Sequence, residues 1–344
     1  MEEKLNISIL GAGAWGLTLG VLLAEKKHNI TLWEISEERS KLLNKKGTVS
    51  IPGIEPFKIK IPSSVKVTSK IEETIDKKTN LIILAIPSQF ALQTIKKIKK
   101  FISEKNKCIL ISVIKGFQTN TLKRITEAVI EEIPQLKDKV CVLSGPSFAI
   151  EVAKKLPTAV VVASKNKNIS EFVQKIFFTE YFRVYTHEDI AGVELGGALK
   201  NIFAIACGIS DGLGFGDNTK SALITRGLKE MVLLGKKLGG EEKTFFGLSG
   251  LGDLIATCFS KHSRNRMLGE IIGKGEKPEI ALKRIHSTSE GYRTTKAAYF
   301  LGKKFNLDLP IINEVYSVIY KNKKPEDAVK SLMLREAKPE FIDK

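Results

Sequence analysis

The stretch Ile7-Ser8-Ile9-Leu10-Gly11-Ala12-Gly13-Ala14-Trp15-Gly16-Leu17 decides the fold. A short β-rich run enters three glycines at G-x-G-x-x-G spacing, and a helical pattern leaves them from Leu17. Strand, glycines and helix in that order are the fingerprint of a dinucleotide-binding βαβ unit. Gly11 makes the tight turn, Gly13 lets a pyrophosphate approach the backbone, and Gly16 lets the helix pack on the strand. Ala14 and Trp15, between the last two glycines, are further candidate cofactor contacts. The helix start adds unsatisfied N–H groups and the positive end of a dipole. Glu34 follows the next β-rich run, residues 30–33, where a carboxylate hydrogen-bonds an adenosine ribose and repels a 2′-phosphate. This predicts NAD in preference to NADP, although an exposed strand-end charge would read the same way. Arg39 lies too far into the following helix to be assigned to a 2′-phosphate.

Outward from this unit, residues 81–86, 108–113 and 140–143 also read as strands, several of them apolar throughout. Such runs suit a parallel sheet buried on both faces. Residues 159–164 and 182–185 are expected to extend it. Ser69-x-x-Glu72, Asn168-x-x-Glu171 and Thr186-x-x-Asp189 have the spacing of helix starts. After residue 187 the pattern is helical, with glycine-rich connections at 212–216 and 247–252 breaking the helices. The expected fold is a Rossmann-like doubly wound, mostly parallel sheet followed by an all-α C-terminal domain. Residues 1–187 would form the dinucleotide domain and 188–344 a helical substrate-binding and catalytic domain, packed around a cleft.

The bulk numbers fit two ordinary cores. The chain has 344 residues, more than the ~250 at which single cores stop growing. It is 43% hydrophobic and 27% charged, which excludes a disordered or collagen-like chain. The net charge of +17 would suit nucleic acid, an anionic surface or an acidic small substrate. Many lysines fall on apparent exposed helix faces, such as Lys96, Lys97, Lys99 and Lys100, and no basic run is interleaved with aromatics. No nucleic-acid partner is therefore expected. The cysteines (Cys108, Cys141, Cys207, Cys258) have no metal or redox spacing, so a reducing compartment and no metal are expected. The start, Met1-Glu2-Glu3-Lys4-Leu5, has no basic leader, and no apolar run approaches the ~18 residues of a membrane helix. A cytoplasmic protein without an integral membrane segment is the expectation.

Oxidising a secondary alcohol needs a hydride acceptor and a group that takes the hydroxyl proton. The scattered histidines offer no such site, so lysines in glycine-rich or apolar settings come forward. Lys115 follows the strand at 108–113, at the carboxyl edge where open α/β sheets bind ligands. Lys200 stands in Gly196-Gly197-Ala198-Leu199-Lys200-Asn201, among small and apolar residues that would desolvate it and lower its pKa. A snorkelling lysine remains the alternative at both positions.

At these residues the chain resembles the NAD(P)-dependent glycerol-3-phosphate dehydrogenases, from Gly11 to about Leu334. The motifs are Ser144-Gly145-Pro146-Ser147-Phe148-Ala149 with Glu151, Leu195-Gly196-Gly197-Ala198-Leu199-Lys200-Asn201, and Gly214-Phe215-Gly216-Asp217-Asn218. Gly250-Leu251-Gly252-Asp253-Leu254, Ser263-Arg264-Asn265-Arg266 and Glu290-Gly291-Tyr292-Arg293-Thr294 follow. The resemblance implies interconversion of glycerol 3-phosphate and dihydroxyacetone phosphate, a supply for phospholipid synthesis, and a homodimer.

It also implies roles. Lys200 would be the proton acceptor, and Lys115 and Asp253 would hold and polarise the reacting end, with Thr257 and Asn201 lining the site. Ser263, Arg264 and Asn265 would bind the substrate phosphate, Arg264 also touching the cofactor. Gly145 and Ser147 would be substrate contacts, Ala149 and Phe90 cofactor contacts, and Glu290 an acid near the cofactor ribose. Lys115 would border the cofactor as well. The chain departs from many bacterial relatives at Trp33-Glu34-Ile35-Ser36, where they carry an arginine or another polar pair, and this supports NAD.

Other readings stay open for single residues. Asp253 and Ser263 would serve as helix caps, Arg266 as half of a surface ion pair, and Phe90 as core. For the whole chain, the competing activity is a two-domain dehydrogenase of a 3-hydroxy acid or a ketopantoate-like substrate. A non-catalytic NAD-sensing regulator or nucleic-acid binder has only the charge in its favour.

Overall fold

The computed structural model describes residues 3–50, 58–103, 108–118, 121–285 and 289–340. Met1 and Glu2, on which the reading of the leader partly rests, and residues 341–344 of the expected helical domain lie outside them. In chain order the first half runs β1 (Asn6–Leu10), α1 (Ala14–Glu25), β2 (Asn29–Trp33), α2 (Glu37–Lys46), β3 (Thr48–Ser50), β4 (Lys58–Lys60) and β5 (Val65–Thr68). It continues with β6 (Leu81–Leu84), α3 (Ala91–Lys99), β7 (Ile109–Ser112), α4 (Ile125–Glu132), β8 (Val140–Ser144), α5 (Ala149–Ala153), β9 (Thr158–Ala163), α6 (Lys167–Phe177) and β10 (Phe182–His187). The second half is helical: α7 (Ile190–Gly212), α8 (Asp217–Lys237), α9 (Asp253–Phe259), α10 (Arg264–Gly273), α11 (Pro278–Arg284), α12 (Glu290–Lys304), α13 (Pro310–Lys321) and α14 (Pro325–Met333).

Eight strands form one sheet in the order β10-β9-β8-β7-β6-β1-β2-β5. Its central strands are apolar because both faces are covered; all four residues of β6 are buried. Neighbouring pairs are parallel except β8 and β9, so the last two strands extend the sheet in the reverse direction. Strand β5 pairs with β2 and was not legible, since Lys66 interrupts its short apolar run. The hairpin of β3 and β4 was not anticipated either.

Three expected helix starts move. After Ser69 comes only a single tight turn, Ile71–Glu73, and the Ser69 carbonyl accepts from Trp33 Nε1 at 3.1 Å. Thr68 Oγ1 takes the Lys70 N–H instead. Asn166 caps α6 by accepting the Asn168 N–H, so the cap lies two residues earlier than expected. Asp189 caps α7 by accepting the Gly192 N–H at 2.8 Å, while Thr186 stays in β10. Finally, residues 247–252 do not break a helix, because Leu248–Gly252 winds as a π-helical turn that runs on into α9.

Helix α7 is the axis of the second half. Contrary to expectation it is long and apolar enough to cross a membrane, but 94% of its apolar window is buried inside the protein, which makes it a core helix. It crosses α10 at backbone contact distance. A Cβ at Gly208 would lie 2.0 Å from the Arg266 carbonyl, and one at Gly269 would lie 2.0 Å from that of Ile205. Gly212 and Gly273 repeat this contact one turn on.

Candidate active site

The glycine loop adopts the geometry its sequence demands. Gly11 has φ +116°, and a Cβ there would press to 2.5 Å from the Ala85 carbonyl. At Gly16 a Cβ would lie 1.9 Å from the Gly11 carbonyl, so only glycine lets α1 start against the turn. Gly13, by contrast, faces open space. It is the N-cap of α1 and brings no capping side chain, which leaves the first N–H groups to a ligand. Ala14 begins the helix, and the half-buried Trp15 packs toward Phe182 with ring centroids 6.5 Å apart. Phe90 is 48% exposed beside the end of β6, which rules out the core reading. Gln89 Oε1 is buried without a hydrogen-bond partner among the described residues. The unsatisfied donors, the open cradle at Gly13 and the exposed Phe90 ring fit a nicotinamide dinucleotide.

Glu34 is buried at the end of β2, and its carboxylate is already engaged. Oε1 accepts the Ser36 N–H at 3.1 Å, and Oε2 accepts from Arg39 Nη1. Arg39 stands in the first turn of α2 and also donates to the Ala12 carbonyl at 2.8 Å. The sequence reading set this residue aside. Here it is a cation between the acidic residue and the glycine loop.

At the carboxyl edge of the sheet the lysines meet one carboxylate. Asp253 Oδ1 accepts from Lys200 Nζ and Oδ2 from Lys115 Nζ, both at 2.7 Å. Lys200 also donates to Thr257 Oγ1 at 2.6 Å and Lys115 to the Gly145 carbonyl at 2.9 Å. The π-helical turn leads directly into Asp253 and lies against α7, where a Cβ at Gly196 would come 2.7 Å from the Ser249 carbonyl. Burial lowers the Lys200 pKa to about 8; the nearby Asp253 charge opposes the fall and Lys115 adds to it. For Asp253, burial alone would raise the carboxyl, but the two ammonium groups outweigh it and hold the group below its ordinary value. The result is a lysine poised to exchange protons near neutral pH, held by an anion that stays ionised.

Arg264 opens α10 in the same cleft, with Glu290 close enough to interact with its charge. Arg264 is exposed as a whole residue, but burial of its charged group lowers its pKa, which the Glu290 charge opposes. Ser263 is the N-cap of α10 and accepts the Arg266 N–H at 3.2 Å. The Asn265 amide is spent inside the protein: Oδ1 accepts from Ser289 Oγ and the Gly291 N–H, and Nδ2 donates to Asn201 Oδ1. Asn201 in turn donates to the Lys115 carbonyl at 3.1 Å. These two amides tie α7, α10 and α12 to the Lys115 loop. The Ser147 hydroxyl is turned to the Gly145 carbonyl at 2.9 Å. Ala149 begins α5 and its carbonyl lies 3.4 Å from Thr18 Oγ1 of α1.

Glu290 reaches across the cleft to the end of β6, accepting from the Ser88 N–H at 2.9 Å and from Ser88 Oγ. Burial raises its pKa. Ser88 escaped the sequence reading, although the carboxyl-edge argument that found Lys115 applies equally to it. Asp253 is no cap, since its carboxylate belongs to the lysines. Arg266 forms no surface pair either: its side chain is 12% exposed, and it holds Asp211 of α7 and Glu270.

A doubly wound sheet with a glycine-loop cradle, facing a buried lysine across a cleft, defines a nicotinamide-dinucleotide-dependent oxidoreductase. Residues 6–170 match the model of the NAD-dependent glycerol-3-phosphate dehydrogenase N-terminus, and residues 189–330 that of the C-terminus. A glycerol-3-phosphate dehydrogenase [NAD(P)+] of Fusobacterium nucleatum is 44% identical over 98% of both chains. One from Halalkalibacterium halodurans is also 44% identical, over 98% of this chain and 96% of its own. The crystal structure of glycerol-3-phosphate dehydrogenase from Coxiella burnetii superposes with a TM-score of 0.90 at 35% identity, covering 96% of this chain and 99% of that one. The chain belongs to the NAD-dependent glycerol-3-phosphate dehydrogenase family.

Proposed function

We propose that the chain interconverts sn-glycerol 3-phosphate and dihydroxyacetone phosphate, with Lys200 exchanging the proton at the C2 oxygen and NAD(H) favoured over NADP(H). The observation that carries this reading is the Lys200–Asp253–Lys115 cluster, buried at the sheet edge beyond the glycine loop. NAD(P), when bound, supplies the hydride acceptor or donor at C2. Neutral Lys200 takes the hydroxyl proton when the alcohol is oxidised, and the ammonium returns it when the ketone is reduced. Asp253 and Thr257 fix the direction of Nζ, and Lys115 offers a cationic donor to the C2 oxygen as charge develops there. Arg264 at the start of α10 takes the phosphate, where a guanidinium fork and helix N–H groups suit its oxygens. Asn201, Asn265 and Ser263 position these groups, and Gly145 and Ser147 flank the substrate.

In this reading residues 1–187 carry the dinucleotide and residues 188–344 the substrate. Gly11, Gly13, Ala14, Trp15, Gly16, Phe90, Ala149 and Glu290 border the cofactor, and Glu34 meets its adenosine ribose. The enzyme is a cytoplasmic homodimer supplying glycerol 3-phosphate for phospholipid synthesis.

The test is the loss of absorbance at 340 nm with dihydroxyacetone phosphate, run in parallel with NADH and NADPH. Rapid oxidation with the phosphorylated ketone and none with dihydroxyacetone is the expected result. Oxidation with a ketopantoate-like acid but not with dihydroxyacetone phosphate would overturn the substrate. Light scattering at a dimer mass checks the assembly.

A further inference from the structure

Helices α8, α13 and α14 line a half-open cavity of about 930 Å³ over one side of α7. That volume lies within the ~300–1,000 Å³ range of small-molecule sites. None of the residues given a role in the reaction lines it. Its walls are apolar, with Ala206 and Ile209 of α7, Leu223 and Leu233 of α8, Val318 of α13 and Leu332 of α14. One orphaned polar atom belongs to this lining: Ser210 is 2% exposed, and its Oγ has no hydrogen-bond partner among the described residues.

The charged groups around the cavity are of unequal sign. Asp308 is taken by Arg335 and Lys338, Glu314 by Lys323, and Lys236 by Glu242. Glu230 accepts the N–H groups of Ile311 and Ile312 at the start of α13. Arg226, Lys229 and Lys237 also line the cavity, and among the described residues no ion pair joins any of them to a carboxylate. Glu336 is the one acid left in the lining among the described residues. Among the described residues Lys229 donates only to the Glu340 carbonyl, at 3.2 Å.

We propose that this cavity binds a single-chain anionic amphiphile, an alkyl chain ending in a carboxylate or a phosphate. The chain fills the apolar walls, and the head group meets Arg226 and Lys229. A second copy of the protein is the poorer occupant. A second copy carries the same net charge of +17, so it would bring further positive charge to a groove whose unpaired groups are already mostly cationic.

Calorimetric titration with decyl phosphate, decanoate and uncharged decyl glucoside, each below its micelle concentration, tests this without any turnover. One site per chain is expected, with the anionic ligands at least about tenfold tighter than the glucoside. The ratio of phosphate to carboxylate identifies the head group. Ala222 is exposed at the lining, so Ala222→Trp blocks the cavity while thermal melting and turnover stay as in the unmodified protein. Binding should be lost in that variant and weakened at least about tenfold by combined Arg226→Glu and Lys229→Glu. No saturable binding, equal affinity for the glucoside, or indifference to Ala222→Trp would overturn the proposal. So would a dimer that Ala222→Trp converts to monomer with no amphiphile heat in either form, since the face would then be an interface between copies.

Discussion

Lys200 reaches its half-protonated point at about pH 8 because burial disfavours the ammonium more than Asp253 restores it. The two directions of the reaction should therefore respond oppositely to pH. Oxidation needs the neutral amine, so kcat/KM for glycerol 3-phosphate should rise with pH and level off above about 8. Reduction needs the ammonium, so kcat/KM for dihydroxyacetone phosphate should fall over the same interval. Lys200→Ala should lower turnover at least ~100-fold and abolish this limb while NADH still binds, as fluorescence titration would report. Near-normal turnover in that variant would remove Lys200 from the mechanism. In the proposed reading Glu34 and Arg39 act oppositely on the ribose end of the cofactor. Glu34→Gln should raise the NADPH-to-NADH efficiency ratio about tenfold, and Arg39→Ala should lower it, as expected when a charge repels or attracts a 2′-phosphate. Equal ratios in all three proteins would leave cofactor choice to other residues. Lys115, Lys200 and Glu34 were legible as candidates because each follows a strand or sits among small apolar residues. Arg39 was not, because its role depends on a side chain folding back from α2 onto the Ala12 carbonyl, a contact that spacing does not encode.

Between elements, contact geometry decides what a substitution costs. Helices α7 and α10 touch through Gly208, Gly212, Gly269 and Gly273, and α10 carries Arg264. Gly208→Ala should force the helices apart, costing about 1–3 kcal/mol in chemical unfolding. It should also raise KM for the phosphorylated substrate more than it lowers kcat, and an unchanged KM would separate this seam from the phosphate site. Helix α13 begins on a different device: Glu230 caps it from α8, and burial pushes this carboxyl up from 4.5 to about 8 against the pull of two N–H bonds. An acid raised on folding stabilises the fold fully below its unfolded pKa, and that contribution is lost as pH rises through about 8. Glu230→Gln keeps an acceptor for the cap and removes the titration. Its melting temperature should match the parent protein near pH 5 and exceed it at pH 9, by an amount worth at most a few kcal/mol. A parallel pH profile in the two proteins would show that Glu230 ionises without penalty. The elements themselves were mostly legible, from strands β1 and β6 to the helical run after His187. Their ends were not, because caps such as Asn166 and Asp189 compete with neighbouring residues of the same chemistry, and only the folded backbone selects among them.

Across the whole molecule the groups of the candidate site come from segments far apart in the chain, and polar ties join those segments. Glu290 reaches Ser88 across the cleft, Asn201 reaches the Lys115 carbonyl, and Glu194 of α7 accepts the Thr126 N–H at 3.0 Å and faces Arg124 at the start of α4. The succession of a sheet-bearing half and a helical half was readable from the change of pattern near residue 187. The resemblance implied that Lys115, Lys200 and Asp253 share one site, but not that a single carboxylate joins both ammonium groups, because that depends on how α7 and the π-helical turn before α9 are set against the sheet edge. The net charge of +17 acts at the same scale. Some of its lysines stand in exposed pairs of small energetic consequence, such as Lys41–Glu37 and Lys236–Glu242. Their summed field nevertheless reaches a doubly charged phosphate ester before any contact forms, and salt screens it within ~10 Å at 0.1 M. Raising ionic strength from 20 to 200 mM should therefore lower kcat/KM for dihydroxyacetone phosphate several-fold while kcat at saturation changes little. The split matters because loss of structure would lower both. A flat kcat/KM would mean that the lysines serve solubility alone and that Arg264 captures the phosphate only on contact.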